Sequence, residues 1–236
     1  MAGRWSALAL VTLVLGACAP GDWRTASRDS AGIAPDPQQV TEALVQVYAA
    51  RAWSWRGWFG VHTWIAAKPT NAEAFTVYEV IGWRAYHGMS AVSVSQRPAD
   101  GRWFGAEPKV IAELRGPGTD AVIQRIDQVA RAYPYPDEYT VWPGPNSNTF
   151  TAWVGRHVPE LRLDLPPTAI GKDYLPHGDF AAPSPSGSGW QVSLFGLAGL
   201  TVGKEEGLEI NLLGLVFGID PLGPAVKLPL VGRVGA

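Results

Sequence analysis

The chain has 236 residues, of which 17% are charged and 47% hydrophobic, and its net charge is −2. That length admits one domain of about 100–200 residues plus an appendage, and the apolar share is too high for a disordered chain. The 27 glycines and 20 prolines follow no fixed period, which excludes a collagen-like fold. A near-neutral balance without a Lys/Arg stripe excludes the electrostatic footprint that nucleic acid requires.

Met1–Arg4 is a short basic start, and Ala7–Leu15 is an apolar run broken only by Thr12. This is the layout of a secretory signal over residues 1–17, and it falls far short of the roughly 20 apolar residues of a membrane-spanning helix. The run closes on Leu15, Gly16, Ala17 and Cys18. That quartet resembles the lipobox of bacterial lipoproteins. The resemblance implies cleavage before Cys18, a diacylglycerol thioether on its sulfur and acylation of the new N-terminus. Two or three chains anchor stably, since each buried methylene contributes about 0.8 kcal/mol. Ala19, where an aspartate would signal retention, implies the periplasmic face of the outer membrane. The alternative is an ordinary signal peptide with a chance cysteine. Cys18 is the only cysteine, so the rest of the chain has no disulfide, no thiolate nucleophile and no cysteine metal ligand.

Residues 18–35 are small and polar and read as a lipidated tether. Asp36-Pro37 has the pattern of an N-cap and first helical residue, and Val40, Leu44 and Val47 recur at helical spacing, which predicts a helix to about Arg51. Trp53, Trp55, Trp58 and Trp64 follow in a cluster. Strands are predicted around His62, over Phe75–Ile81, Ser90–Ser95 and Lys109–Leu114, with turns at Lys68–Asn71 and Asp100-Gly101. Thr119 is the expected cap of a helix with Val122, Ile123, Ile126, Val129 and Ala130 on one face, ended by Pro134 and Pro136. A second helix starts at Asn146 or Ser147, buries Phe150, Trp153, Val154 and His157, and stops at Pro159. Residues 159–189 read mostly as loop. From Trp190 onward, apolar runs punctuated by glycine predict hairpins. Ile210, Leu212, Leu213, Leu215, Val216 and Phe217 are continuous enough to expect both faces covered, by a partner, lipid or the main domain. The expected architecture is α+β: a mixed or antiparallel sheet with two or three helices over residues 36–182, and a C-terminal β-hairpin appendage over residues 183–236.

A hydroxyl in the first turn of a helix lies where free N–H groups and the positive dipole end converge, which makes Ser147 a candidate nucleophile. His62, on a strand, is the candidate base, and Glu79 on the next strand is its candidate orienter. The order of His62, a following strand and a late helix opened by Asn146-Ser147-Asn148 resembles the permuted NlpC/P60 papain-like hydrolases and the lecithin:retinol acyltransferase-like group. That resemblance covers about residues 57–158 and implies attack on amide or acyl bonds, with serine in place of the family's cysteine. Three stretches taken together, Val61–Trp64, Gly144–Phe150 and Ala169–Tyr174, are similar to an uncharacterised bacterial family, domain of unknown function 3750. This resemblance runs through most of the mature chain and implies no activity.

The competing readings are structural: Ser147 as a helix cap, His62 as a hydrogen-bonded structural histidine. The tryptophan cluster reads as core, a sugar-stacking platform or a membrane-facing belt, and Trp64, Asn146 and Asn148 are candidate ligand-binding residues. His87, His157 and His177 lack metal-ligand spacing, and neither a metal nor another cofactor is expected. Lys172-Asp173 reads as a surface ion pair without a role. Two functions stay open: an outer-membrane lipoprotein binding a wall or lipid ligand, or a serine variant of the permuted hydrolases. The expected partners are the membrane, through the lipid anchor, and that ligand.

Overall fold

The computed structural model describes residues 22–235, so the signal segment and Cys18 lie outside the described residues. The architecture is α+β. The first sheet contains β1 (Leu44–Arg51), β2 (Val61–Lys68), β3 (Thr76–Val80), β4 (Val92–Gln96) and β5 (Lys109–Arg115), in the order β4-β3-β2-β1-β5 with every pair antiparallel. Its helices are α1 (Gly82–Tyr86), α2 (Thr119–Arg131) and α3 (Ser147–His157).

The first sheet is covered on both sides. Val45, Val47, Ile65, Ala67, Tyr78 and Val80 point toward α2 and α3, meeting Ile126, Ala130, Phe150 and Val154 in the larger apolar cluster. Leu44, Tyr48, Trp64, Ala66 and Val77 point the other way, under Ala34, Ala99, Trp103 and Ala106. Alternation along β2 therefore sends His62 and Trp64 to one face and Thr63 and Ile65 to the other.

β1 corrects the expected helix. It runs down the middle of the sheet, and Ala43–Ala50 are all buried. A strand covered on both faces loses the polar alternation that marks strands, so its valines and leucine also satisfy helical spacing. The Asp36 carboxylate accepts from the Gln38 amide at 3.0 Å, but the turn it caps goes no further than residue 39. The segment read as a tether is also fixed from Ser30 onward. Asp100 accepts from the Ser30 hydroxyl (2.8 Å) and from the amides of Ile33 (2.7 Å) and Ala34 (3.0 Å). Burial pushes the Asp100 carboxyl up, yet these donors hold it below the usual carboxylate range. At α2 the cap is Gly118, left-handed at φ 88°, not Thr119, which is the first helical residue. In α3, His157 is exposed rather than buried.

The second sheet is a seven-stranded meander: β6 (Ala181–Pro183), β7 (Gly189–Leu194), β8 (Ala198–Gly203), β9 (Gly207–Leu212), β10 (Leu215–Asp220), β11 (Ala225–Leu228) and β12 (Gly232–Gly235). Its polarity is inverted. In β9, Glu209 and Asn211 are buried while Leu208, Ile210 and Leu212 are exposed, and β7, β8 and β11 follow the same rule. Of the two faces of Ile210–Phe217, the chain itself covers the polar one and leaves Ile210, Leu212 and Phe217 exposed on the other, so the main domain is not the cover expected for that face.

Candidate functional site

The three stretches singled out in the sequence meet at the N-terminus of α3. Asn146 is the cap: its Oδ1 accepts from the amides of Asn148 (2.9 Å) and Thr149 (3.2 Å), and the Thr149 hydroxyl returns to the Asn146 amide, forming a capping box. Its Nδ2 donates to the carbonyls of Val141 and Ile170, both at 3.1 Å. Asn148 donates to Val61 O (3.0 Å) and Ile170 O (2.8 Å) and accepts from the Thr63 hydroxyl (3.0 Å). Gly171 seals the junction: at φ 98° it occupies the left-handed region, and a Cβ there would collide with the Asn146 side chain.

These contacts use both N–H donors of each asparagine, and both side chains are buried. Trp64 is likewise committed, 0% exposed with its indole N–H on Ala99 O at 2.7 Å. All three candidate ligand-binding residues are thus buried and bonded within the fold. Of the tryptophan cluster, Trp55 and Trp58 are the exposed members, and Trp55 is 67% exposed.

His62 and Glu79 are brought together, Nε2 to Oε2 at 3.0 Å, both buried. Arg97 donates to the other Glu79 oxygen at 3.0 Å and lies over the Trp64 ring. Trp103 stacks on the His62 ring, with centroids 3.5 Å apart and an interplanar angle of 8°. Burial is the largest influence on both partners. It depresses the His62 pKa, and the Glu79 charge, shared with Arg97, does not restore it. It raises Glu79, but His62 and Arg97 hold that carboxyl below its ordinary value. Neutral His62 then carries its proton on Nε2, donating to an ionised Glu79, and burial keeps the remaining ring nitrogen from taking up a second proton.

Ser147 is not part of this pair. Its carbonyl accepts from the Thr63 and Thr151 hydroxyls, so the start of α3 lies on the Thr63 face of β2, and His62 projects from the opposite face. The Ser147 hydroxyl faces the Tyr139 phenol, whose pKa burial pushes up to about 12. Sequence reading also missed Arg97 and Trp103, which complete the histidine cluster from the β4–β5 loop, because no short-range pattern links that loop to β2.

A second buried cluster joins the two sheets. Lys172, expected at the surface, is enclosed and pairs with Glu209, whose other oxygen takes Lys227 at 2.8 Å; Lys227 also reaches Asp164 at 2.6 Å. Asp173, equally buried, accepts from Gln191 and from Asn211, the latter at 2.7 Å. Burial pushes Glu209 up, but the two lysines prevail and lower its pKa; burial prevails at Asp173 and raises it. Among the described residues, no group of three or more His, Cys, Asp or Glu side chains is placed to hold a metal ion.

Residues 42–174 match the model of a family described as "Protein of unknown function (DUF3750)". The match ends at Tyr174, short of the second sheet, and so covers less than the sequence resemblance implies. No curated protein and no solved structure matches the chain.

Proposed function

The chain belongs to the DUF3750 family, whose function is unknown, and from that premise we propose that it is a lipid-anchored protein of the outer membrane's periplasmic face that binds a cell-envelope ligand without catalysis. The observation that carries this reading over the hydrolase is that His62 projects from one face of β2 while Ser147, at the start of α3, packs against the other. A nucleophile and its base must lie within hydrogen-bond reach, and here a sheet separates them. On this reading the chain does not use the chemistry that the resemblance to permuted papain-like enzymes implies. For the anchor, the support is the Leu15–Cys18 quartet after an apolar signal run.

Two measurements on the full chain test the reading. A fatty-acid analogue should label the wild type and leave Cys18→Ala unlabelled; equal labelling removes the anchor. A fluorophosphonate serine probe should leave the folded protein unmodified. Stoichiometric labelling that disappears in Ser147→Ala would restore the enzyme.

A further inference from the structure

The outward face of the second sheet is apolar from β7 to β11, and it is apolar by construction. β7, β9 and β11 turn polar side chains inward, onto Asp164, Lys172 and Asp173, and the large aliphatic side chains of β7 to β11 point outward except Val216 of β10, which is buried. Trp190 is 66% exposed on this face. A water-facing sheet has the opposite pattern, whereas strands that face lipid are apolar outside over a polar interior.

The two ends of the sheet differ. The β7–β8, β9–β10 and β11–β12 turns share one end and carry Phe195, Leu213 and Leu230, all exposed, with Leu213 at 67%. These three hold positive φ of 52°, 55° and 68°. Hairpin tips that need this conformation normally use asparagine or glycine, so bulky apolar side chains there are held at a steric cost that folding does not explain. At the other end, Lys204 and Glu205 occupy the β8–β9 turn, and a single large apolar side chain, Leu222 at 69% exposure, stands in the β10–β11 turn.

Aromatic and basic groups frame the apolar end. Trp142 donates its indole N–H to Leu213 O at 2.9 Å, and Arg51 donates to Leu230 O at 3.0 Å and to Gly57 O at 3.2 Å. Arg51 thereby ties that tip to the turn Ser54–Trp58, which exposes Trp55, Arg56 and Trp58 and contains no acidic residue. Tryptophan beside arginine is the composition that settles at the headgroup level of a bilayer. The N-terminal segment approaches the same end. Arg28 covers the Phe104 ring at 4.3 Å, and Phe104 packs on Trp53, the residue before the Ser54–Trp58 turn. Cys18 precedes the first described residue by only four positions.

We propose that this sheet face docks on a phospholipid bilayer, with the Phe195, Leu213 and Leu230 tips inserted and Trp55, Trp58 and Trp142 at the headgroups. The proposal deepens the anchored reading by naming lipid as the envelope ligand, and its orientation rests on that reading: a chain held at Cys18 presents its aromatic end to the membrane. Docking is then intramolecular, at a high effective concentration set by a short linker.

The test uses the full chain in vesicles of phosphatidylethanolamine and phosphatidylglycerol, after the mass of the N-terminal peptide has established whether Cys18 is acylated. Leu213→Cys, Ile210→Cys and Gln124→Cys, the last on the exposed side of α2, are each labelled with an environment-sensitive fluorophore. The labels at 213 and 210 should shift to the blue and lose most of their emission to spin-labelled lipid, and the label at 124 should do neither. Quenching equal at all three sites, or absent at 213 and 210, overturns the proposal; absence together with a dimer in sedimentation assigns the face to a second copy. An unacylated Cys18 with quenched tips refutes only the anchor. An acylated Cys18 with unquenched tips refutes only the docking.

Discussion

His62 shows how burial sets the chemistry of a single side chain. The folded protein holds its imidazole neutral, because the desolvation cost of the cation exceeds what an already shared Glu79 returns. The unfolded chain takes up a proton near the ordinary value of 6.5, which the folded chain refuses. More protons are therefore bound when unfolded, so stability rises with pH and falls on acidification through and below that value. Thermal melts between about pH 7.5 and 5.5 should show this loss in the wild type and a weaker slope in His62→Gln, which keeps a polar group beside Glu79 but cannot charge. Identical slopes would mean that His62 titrates alike in the folded and the unfolded chain. The pairing of His62 with Glu79 was legible in the sequence, since adjacent strands bring alternating residues together. The separation of Ser147 was not. A helix N-terminus can pack on either face of a strand, and the face is chosen by Thr63 and Asn148, whose side chains carry no directional signal before the chain folds.

At the scale of elements, regular alternation and amphipathic spacing made β2 to β5, α2 and α3 readable, and β1 was misread because its burial on both faces erased that signal. The second sheet taught a different lesson: the period was present, but its sign was reversed. Glu209 at 2% exposure does what a leucine does elsewhere, holding β9 to the layer beneath through Lys172 and Lys227. Lys172-Asp173 accordingly belongs to the joint between the sheets rather than to the surface. A buried ion cluster stabilises little relative to an apolar replacement, but removing one member leaves its partners charged and unpaired. Glu209→Gln should therefore cost about 3–5 kcal/mol in denaturant melts. Hydrogen exchange should localise the loosening to β9 and β11 ahead of the first sheet. A loss below about 1 kcal/mol would reduce the cluster to a solvated contact.

At the scale of the whole molecule, an inverted sheet separates two properties that usually travel together. In most proteins the large aliphatic side chains of a strand are its stabilising contacts, and truncating a buried leucine costs about 2–5 kcal/mol. Here Leu208, Ile210 and Leu212 face outward, and their strand is retained by Glu209, Asn211 and the β8 and β10 ladders. Replacing all three with threonine keeps β propensity and trims side chains that stay 39%, 46% and 55% exposed after folding. The triple variant should melt within a few degrees of the wild type in the same detergent, corresponding to roughly 1 kcal/mol or less. It should also stay dispersed when detergent is withdrawn, whereas the wild type, with its contiguous apolar face uncovered, should self-associate. A large drop in melting temperature would show that these side chains are buried in the folded protein, and the inverted sheet would then have to be redrawn with its other face to solvent.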